Sequence, residues 1–176
     1  MLANMRLSSR FPVAVATLLS TGLAQTEWRD IGLVFDLPVI YQDPAITYDS
    51  FRDVLILDRG MGPASSIWEF DGHYWTQVAS PPSKVGHALV FTTALQTSVG
   101  FGGQSNYSTP PSNETWTWDG TAISLLSPAN NPPPRAFHAM AYDSHRNRIV
   151  LFGGLGTTQL LNDTWEFDGF DWTQTF

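Results

Sequence analysis

The fold is decided by three phrases near the end of the chain. Residues 135–143 read RAFHAMAYD, residues 148–154 read RIVLFGG, and residues 162–172 read NDTWEFDGFDW. The first two are apolar segments on either side of a polar turn, which is typical of a β-hairpin. The third alternates apolar and acidic side chains and then reaches Asp168-Gly169, a tight-turn signal that leads into a fourth strand. The three phrases predict one four-stranded unit.

The same phrases recur earlier in the chain, in the same order. Trp68, Trp116 and Trp165 lie 48 and 49 positions apart, and each begins a phrase that runs into Asp-Gly. A double glycine follows the second predicted strand at 102–103 and again at 153–154. A fixed period of this length indicates a repeat architecture in which each copy is one structural unit. The copies occupy residues 44–80, 81–131 and 132–176.

Composition excludes several classes of function. The net charge is −7, and no run of basic residues offers the clustered cations that nucleic acid requires. The chain has no cysteine, which excludes disulfides, thiolate chemistry and cysteine-based zinc sites. The four histidines never occur at metal-ligand spacing, so the sequence predicts neither a metal site nor a cofactor.

The N-terminus differs from the rest of the chain. Residues 1–24 carry only two charges, Arg6 and Arg10, followed by a 14-residue apolar stretch that ends in Ala24. This pattern predicts a secretory signal peptide, and therefore a secreted or periplasmic protein without a membrane span. The alternative is a buried first strand or helix. Residues 25–43 form an N-terminal segment before the repeats.

The repeats resemble those of the kelch family. The resemblance covers residues 44–176 and rests on the period near 50, the double glycine and the spaced tryptophan. It implies an all-β fold, a kelch-type β-propeller with one four-stranded blade per copy. The first copy departs most, because Asp58-Arg59-Gly60 replaces the hydrophobic residue and paired glycine. Kelch propellers can also close their ring with an N-terminal strand, which would here be Trp28–Ile31.

Three copies do not close a ring, because propellers have about four to eight blades. Three explanations remain open at the level of sequence. The chain is part of a longer protein, which is the interpretation we favour; or it pairs with a second copy; or it is an open array of sheets. The first two would cover the apolar faces that the third leaves exposed.

A cation precedes a histidine by three residues in two successive copies, as Lys84 with His87 and Arg135 with His138. These residues could line a channel and bind an anionic sugar. A feature that recurs once per blade is more typical of an architectural role, such as a hydrogen bond to a neighbouring blade. No nucleophile or acid–base arrangement follows from the spacing, so no catalytic residue is assigned.

The sequence therefore predicts an exported binding or scaffold module, with an unknown protein or glycan as partner. The alternative is a sugar-directed propeller enzyme. The resemblance includes copper-radical oxidases, whose Tyr–Cys cross-link this chain cannot form, and a sialic-acid mutarotase, for which Arg135 or His138 would be the candidates. The residues that do not repeat, 105–113 and 156–161, are the expected location of specificity.

Overall fold

The computed structural model describes residues 15–16, 28–29, 38, 43–60, 66–81 and 84–175. All regular structure in these residues is β-strand, and they contain no helix that could cross a membrane. The chain divides into two compact units, residues 1–35 and residues 36–176. The prediction of an all-β fold is confirmed.

The first unit contains two short strands. Strand β1 (Val15–Ala16) pairs with β2 (Trp28–Arg29) in antiparallel register. The predicted signal peptide and the predicted blade-closing strand fall on this unit. Only residues 15–16 of the first and residues 28–29 of the second are described, so both stay predictions.

The second unit contains three four-stranded antiparallel sheets, each with its strands in chain order and each within one repeat. The first sheet comprises β3 (Ala45–Asp49), β4 (Val54–Asp58), β5 (Ile67–Phe70) and β6 (Trp75–Ala79). The second comprises β7 (Ala88–Thr92), β8 (Thr97–Phe101), β9 (Thr115–Trp118) and β10 (Ile123–Leu126). The third comprises β11 (Ala139–Asp143), β12 (Arg148–Leu155), β13 (Leu160–Phe167) and β14 (Trp172–Gln174).

Aspartates close the turns within each sheet. In the Asp-Gly turns, one carboxylate oxygen of Asp71, Asp119 or Asp168 accepts hydrogen bonds from the backbone N–H groups two and three positions later. The following glycine has a positive φ of 91° to 102°, a conformation that side chains with a Cβ disfavour. These aspartates are turn residues, as the sequence predicts, and their acceptor bonds explain why the turns recur unchanged.

The last repeat differs from expectation at its double glycine. The sequence predicts that the second strand ends there, but β12 continues through Gly153-Gly154 to Leu155, with a shift of register. The extension exists because Leu155 pairs with Leu160 and also bridges to Ala136. Residues 156–161, predicted as a variable loop, are consequently a short turn followed by the start of β13.

Two cores hold the sheets together face to face. Between the first and second sheets lie Ile56, Ile67, Leu89, Trp116 and Trp118, with Ala45 beside them. Between the second and third lie Val99, Phe101, Ile149, Leu151, Phe167 and Trp172. The innermost strand β7 contacts both β3 and β11, so the first strands of the sheets are neighbours. This serial packing is that of blades in a propeller.

Candidate binding cleft

Arg135, a candidate from the sequence, is fully buried (0% exposed) at the start of the third repeat. Its guanidinium donates two hydrogen bonds to the carboxylate of Asp163, at 2.6 and 2.8 Å. It also donates to the carbonyl oxygens of Gly153 (2.9 Å) and Pro133 (3.1 Å). The Arg135 hydrogen bond lowers the pKa of Asp163, which favours the charged carboxylate. Arg135 is thus used inside its own blade, which supports the architectural interpretation.

The side chain two positions before each repeat tryptophan can accept a hydrogen bond from its indole N–H. Trp165 Nε1 donates to Asp163 at 2.7 Å, and Trp68 Nε1 donates to the Ser66 hydroxyl at 2.8 Å. The second repeat breaks this arrangement. Its equivalent residue, Glu114, is 51% exposed on its side chain and pairs with Lys84 at 2.7 Å. This pairing, through a hydrogen bond to Lys84, lowers the pKa of Glu114.

Trp116 is therefore left with an unused donor. Its side chain is 3% exposed, and Nε1 finds no hydrogen-bond partner among the residues that the structure describes. A buried polar group without a partner costs free energy, so such an atom in a folded protein calls for an explanation. The Nε1 atom lies over Gly100, where an added Cβ would come within 2.7 Å of it, so the protein itself encloses this donor.

Trp116 lines a cleft of about 450 Å³ beside the first and second sheets. Ile123 and Leu125 of β10 supply the rest of an apolar wall, and Leu125 is largely exposed. The connection between β8 and β9 contributes Ser105, Pro110 and Ser112. The combination of one apolar wall and several converging polar groups is typical of a small-molecule site. The polar residues that surround the wall are Asp58, Lys84, Gln104, Ser105, Ser112 and Glu114.

Two buried histidines lie near the start of the innermost strands. His87 Nε2 lies 3.4 Å from the Asp58 carboxylate without making a hydrogen bond, and its ring lies 5.9 Å from that of Trp116. His138 packs edge-on against Phe101 at 5.5 Å, and neither of its ring nitrogens has a partner in the described part of the chain. Desolvation, with the charge of Arg135 and then that of His87, lowers the pKa of His138 to about 4. His138 is consequently a neutral core residue at pH 7.

Sequence reasoning located some of these residues but not the cleft. It singled out Lys84 and His87, which lie at or beside the cleft, and residues 105–113, which contribute to its wall. It did not assign Trp116 or Leu125 to a site. The signal for Trp116 was present in the sequence, because Glu114 replaces the short acceptors Ser66 and Asp163 of the other repeats. Within the described ranges, no three His, Asp or Glu side chains are grouped closely enough to hold a metal ion.

Comparison with known proteins gives information on the fold. No family model matches the chain, and no curated protein matches it. A solved structure titled "Structure of YjhT" is similar, with a TM-score of 0.63 and 14% sequence identity. YjhT is a propeller protein. The similarity covers 78% of this chain and 52% of that one, so the chain spans about half the length of its structural neighbour. At this identity the similarity shows a propeller-like fold alone.

Proposed function

We propose that the chain is an exported binding module of the kelch type, and that the cleft beside Trp116 holds a neutral carbohydrate. The observation that carries the proposal is the apolar wall of Trp116, Ile123 and Leu125, which polar groups surround. A sugar has a C–H face that covers apolar side chains and hydroxyl groups that bond to the polar groups around them. One ligand class therefore fits both the wall and the rim of this cleft.

The charges of the cleft favour a neutral ligand over an anionic one. Lys84 is the cation among the described residues that line it, and Glu114 already neutralises this cation. Asp58 adds a buried carboxylate, and the whole chain carries −7. An anionic sugar would meet carboxylates without a free cation, which is unfavourable in a partly dehydrated site.

Calorimetric titration of the purified chain with neutral and acidic oligosaccharides tests the proposal. We expect a neutral sugar to bind, and Leu125→Ala to weaken binding about fivefold, because part of an apolar side chain leaves the interface. Leu160→Ala is the matched control, since Leu160 is 81% exposed in the third sheet and does not line the cleft. Equal effects of the two substitutions, or binding of acidic sugars only, would contradict the proposal.

A sugar-directed enzyme is the second candidate, and the Asp58–His87 pair favours it. A carboxylate beside an imidazole is the arrangement that orients a general base, and Asp58 lines the cleft. Anomer interconversion followed by NMR on a neutral sugar tests this candidate. Acceleration by the native chain, lost in His87→Phe, would support catalysis; binding without acceleration would leave the module a receptor.

Export is part of the proposal and has a separate test. It rests on the charge and apolar pattern of residues 1–24. Intact-mass measurement of the protein recovered outside the cytoplasm should show a chain that begins at Gln25. A product that retains Met1 would contradict export by a cleaved signal peptide.

A further inference from the structure

The third sheet presents an outer face that has no following sheet among the described residues. Strand pairing places Ala139, Ala141, Val150, Phe152, Thr164 and Glu166 on this face. The equivalent residues of the first two sheets form the surface that packs against the next sheet. There Ile56 and Ile67, and likewise Val99 and Phe101, are completely buried. Phe152, by contrast, is 55% exposed.

A polar lock joins the first sheet to the second. Arg52 bonds to the carboxylates of Asp49 (2.6 Å) and Glu69 (2.7 and 3.0 Å). Glu69 then accepts the indole N–H of Trp118, in the next sheet, at 2.9 Å. The Arg52 guanidinium lies against Gly120, so closely that a Cβ there would come within 2.3 Å of it. The lock thus recognises the sequence Trp-Asp-Gly at the end of a third strand.

The second sheet has an apolar counterpart. Leu95 occupies the place of Arg52, and Thr117 the place of Glu69. In the following sheet, Phe167 stands where Trp118 stands, and Leu95 lies against Gly169, 3.2 Å from where its Cβ would be. Two kinds of contact between sheets therefore occur. Where a sheet carries Arg and Glu at these positions, the next sheet has Trp; where it carries Leu and Thr, the next sheet has Phe.

The third sheet has the same polar arrangement as the first, but no further sheet among the described residues packs against it. Arg146 bonds to Asp143 at 2.7 Å and to Glu166 at 2.6 Å, which reproduces the bonds of the first sheet. The side chain of Arg146 is 50% exposed, whereas that of Arg52 is 27% exposed beneath Gly120. The pair is assembled in advance, which lowers the entropic cost of receiving a partner.

A second contact between neighbouring sheets involves the residue just before the first strand of the following sheet. The residue at the end of each second strand meets a histidine that opens the next repeat. Asp58 lies 3.4 Å from His87, and Phe101 stacks edge-on with His138. Phe152 is the equivalent residue of the third sheet, and its exposed ring is the counterpart of Phe101.

We propose that the outer face of the third sheet docks a further four-stranded blade, one that opens with a histidine and ends its third strand in Trp-Asp-Gly. Glu166 accepts the indole N–H, Arg146 covers the glycine and Phe152 receives the histidine. The first sheet of a second copy of this chain does not match. It has Pro44 at the histidine position and Phe70, which has no N–H, at the tryptophan position. The proposal is independent of the carbohydrate cleft.

The test extends the full chain by a second copy of its own residues 80–131, fused after Phe176. This segment carries His87 and Trp118-Asp119-Gly120, so it has the required chemistry. The fusion leaves ten residues between β14 and the added first strand, against 8 and 12 at the two natural junctions. Four extended chains are compared: native, Trp118→Phe in the added copy only, Glu166→Gln, and both substitutions together.

The readout is the rate at which a protease cleaves the added blade under native conditions. With Glu166 present, Trp118→Phe in the added copy should raise this rate about tenfold, the effect of losing a hydrogen bond to a charged acceptor. In the Glu166→Gln background the same substitution should change the rate less than about threefold, because the charged acceptor is already gone. Equal effects in the two backgrounds, or an added blade that is cleaved as an unfolded tail in every chain, would overturn the proposal. A tight dimer of the unextended chain that Phe152→Glu disperses would overturn it in favour of a second copy.

Discussion

Removal of the Asp163 carboxylate should destabilise the second unit far more than removal of the equivalent carboxylate one repeat earlier. In Asp163→Ala, the guanidinium of Arg135 stays fully buried but loses two short hydrogen bonds, and the Trp165 indole loses its acceptor. Breaking a buried ion pair from one side costs about 3–5 kcal/mol. The Asp163 side chain is 16% exposed, so we expect a loss of about 3 kcal/mol in the free energy of unfolding.

Glu114→Ala is the matched control. Glu114 occupies the same position in the second repeat, but its side chain is 51% exposed beside Lys84, which is 17% exposed, and ion pairs that water reaches contribute about 0–1 kcal/mol. Urea unfolding followed by tryptophan fluorescence at pH 7 measures both changes. The double variant Arg135→Met/Asp163→Ala should recover part of the loss, because it removes the orphan charge.

The pH dependence gives a further check on the same pair. The pKa of Asp163 is lowered in the folded chain, so its contribution is complete above the pKa of the unfolded chain, about 3.9. The contribution is lost only as the pH falls through the lower folded value. The difference between Asp163→Ala and native protein should hence be the same at pH 5 and pH 7. Losses of equal size for Asp163→Ala and Glu114→Ala would refute the view that Arg135 is sealed inside the blade.

Three other predictions concern the cores and the sheet interfaces. The pKa of His138 is about 4 in the folded chain and about 6.5 in the unfolded chain, so protonation of the unfolded chain lowers the free energy of unfolding as the pH falls between these values. His138→Phe should therefore reduce the loss of stability between pH 7 and pH 5 by about 2 kcal/mol, as measured by urea unfolding. A double-mutant cycle of Glu69→Gln and Trp118→Phe should give a coupling of about 1–2 kcal/mol, and additive losses would disprove the bond between the sheets. Gly154→Ala should cost about 2 kcal/mol, because φ is +104° and the new Cβ would lie 2.8 Å from the Ala136 carbonyl oxygen; an unchanged thermal midpoint would contradict this.

The sequence was sufficient for the sheets because each strand and turn depends on local chemistry. The Asp-Gly turns and the alternation of Trp165 with Glu166 act over a few residues, and they recur in three copies. The course of β12 beyond Gly153-Gly154 was not predicted. It depends on pairing of Leu155 with Leu160 and on a bridge to Ala136, contacts that no local pattern specifies.

The cleft was only partly accessible to sequence reasoning. Arg135 and Lys84 look equivalent in the repeats, yet one is sealed by Asp163 and the other pairs at the surface with Glu114. The difference arises from side-chain length and burial, which emerge only when the sheets pack. The same holds for Trp116, because the replacement of a short acceptor by Glu114 is visible in the sequence but the burial of the indole donor is not.

The response of the indole N–H groups to a sugar tests the central claim most directly. In a ¹⁵N-labelled chain, substitutions assign the indole signals of Trp68, Trp116 and Trp165, and a neutral oligosaccharide that binds in calorimetry is then added. We predict that the Trp116 signal shifts, because the sugar covers the apolar wall to which the Trp116 ring belongs. The signals of Trp68 and Trp165 should stay in place, since their donors remain on Ser66 and Asp163. A Trp116 signal that does not move when the sugar is bound would contradict the assignment of the cleft as the binding site.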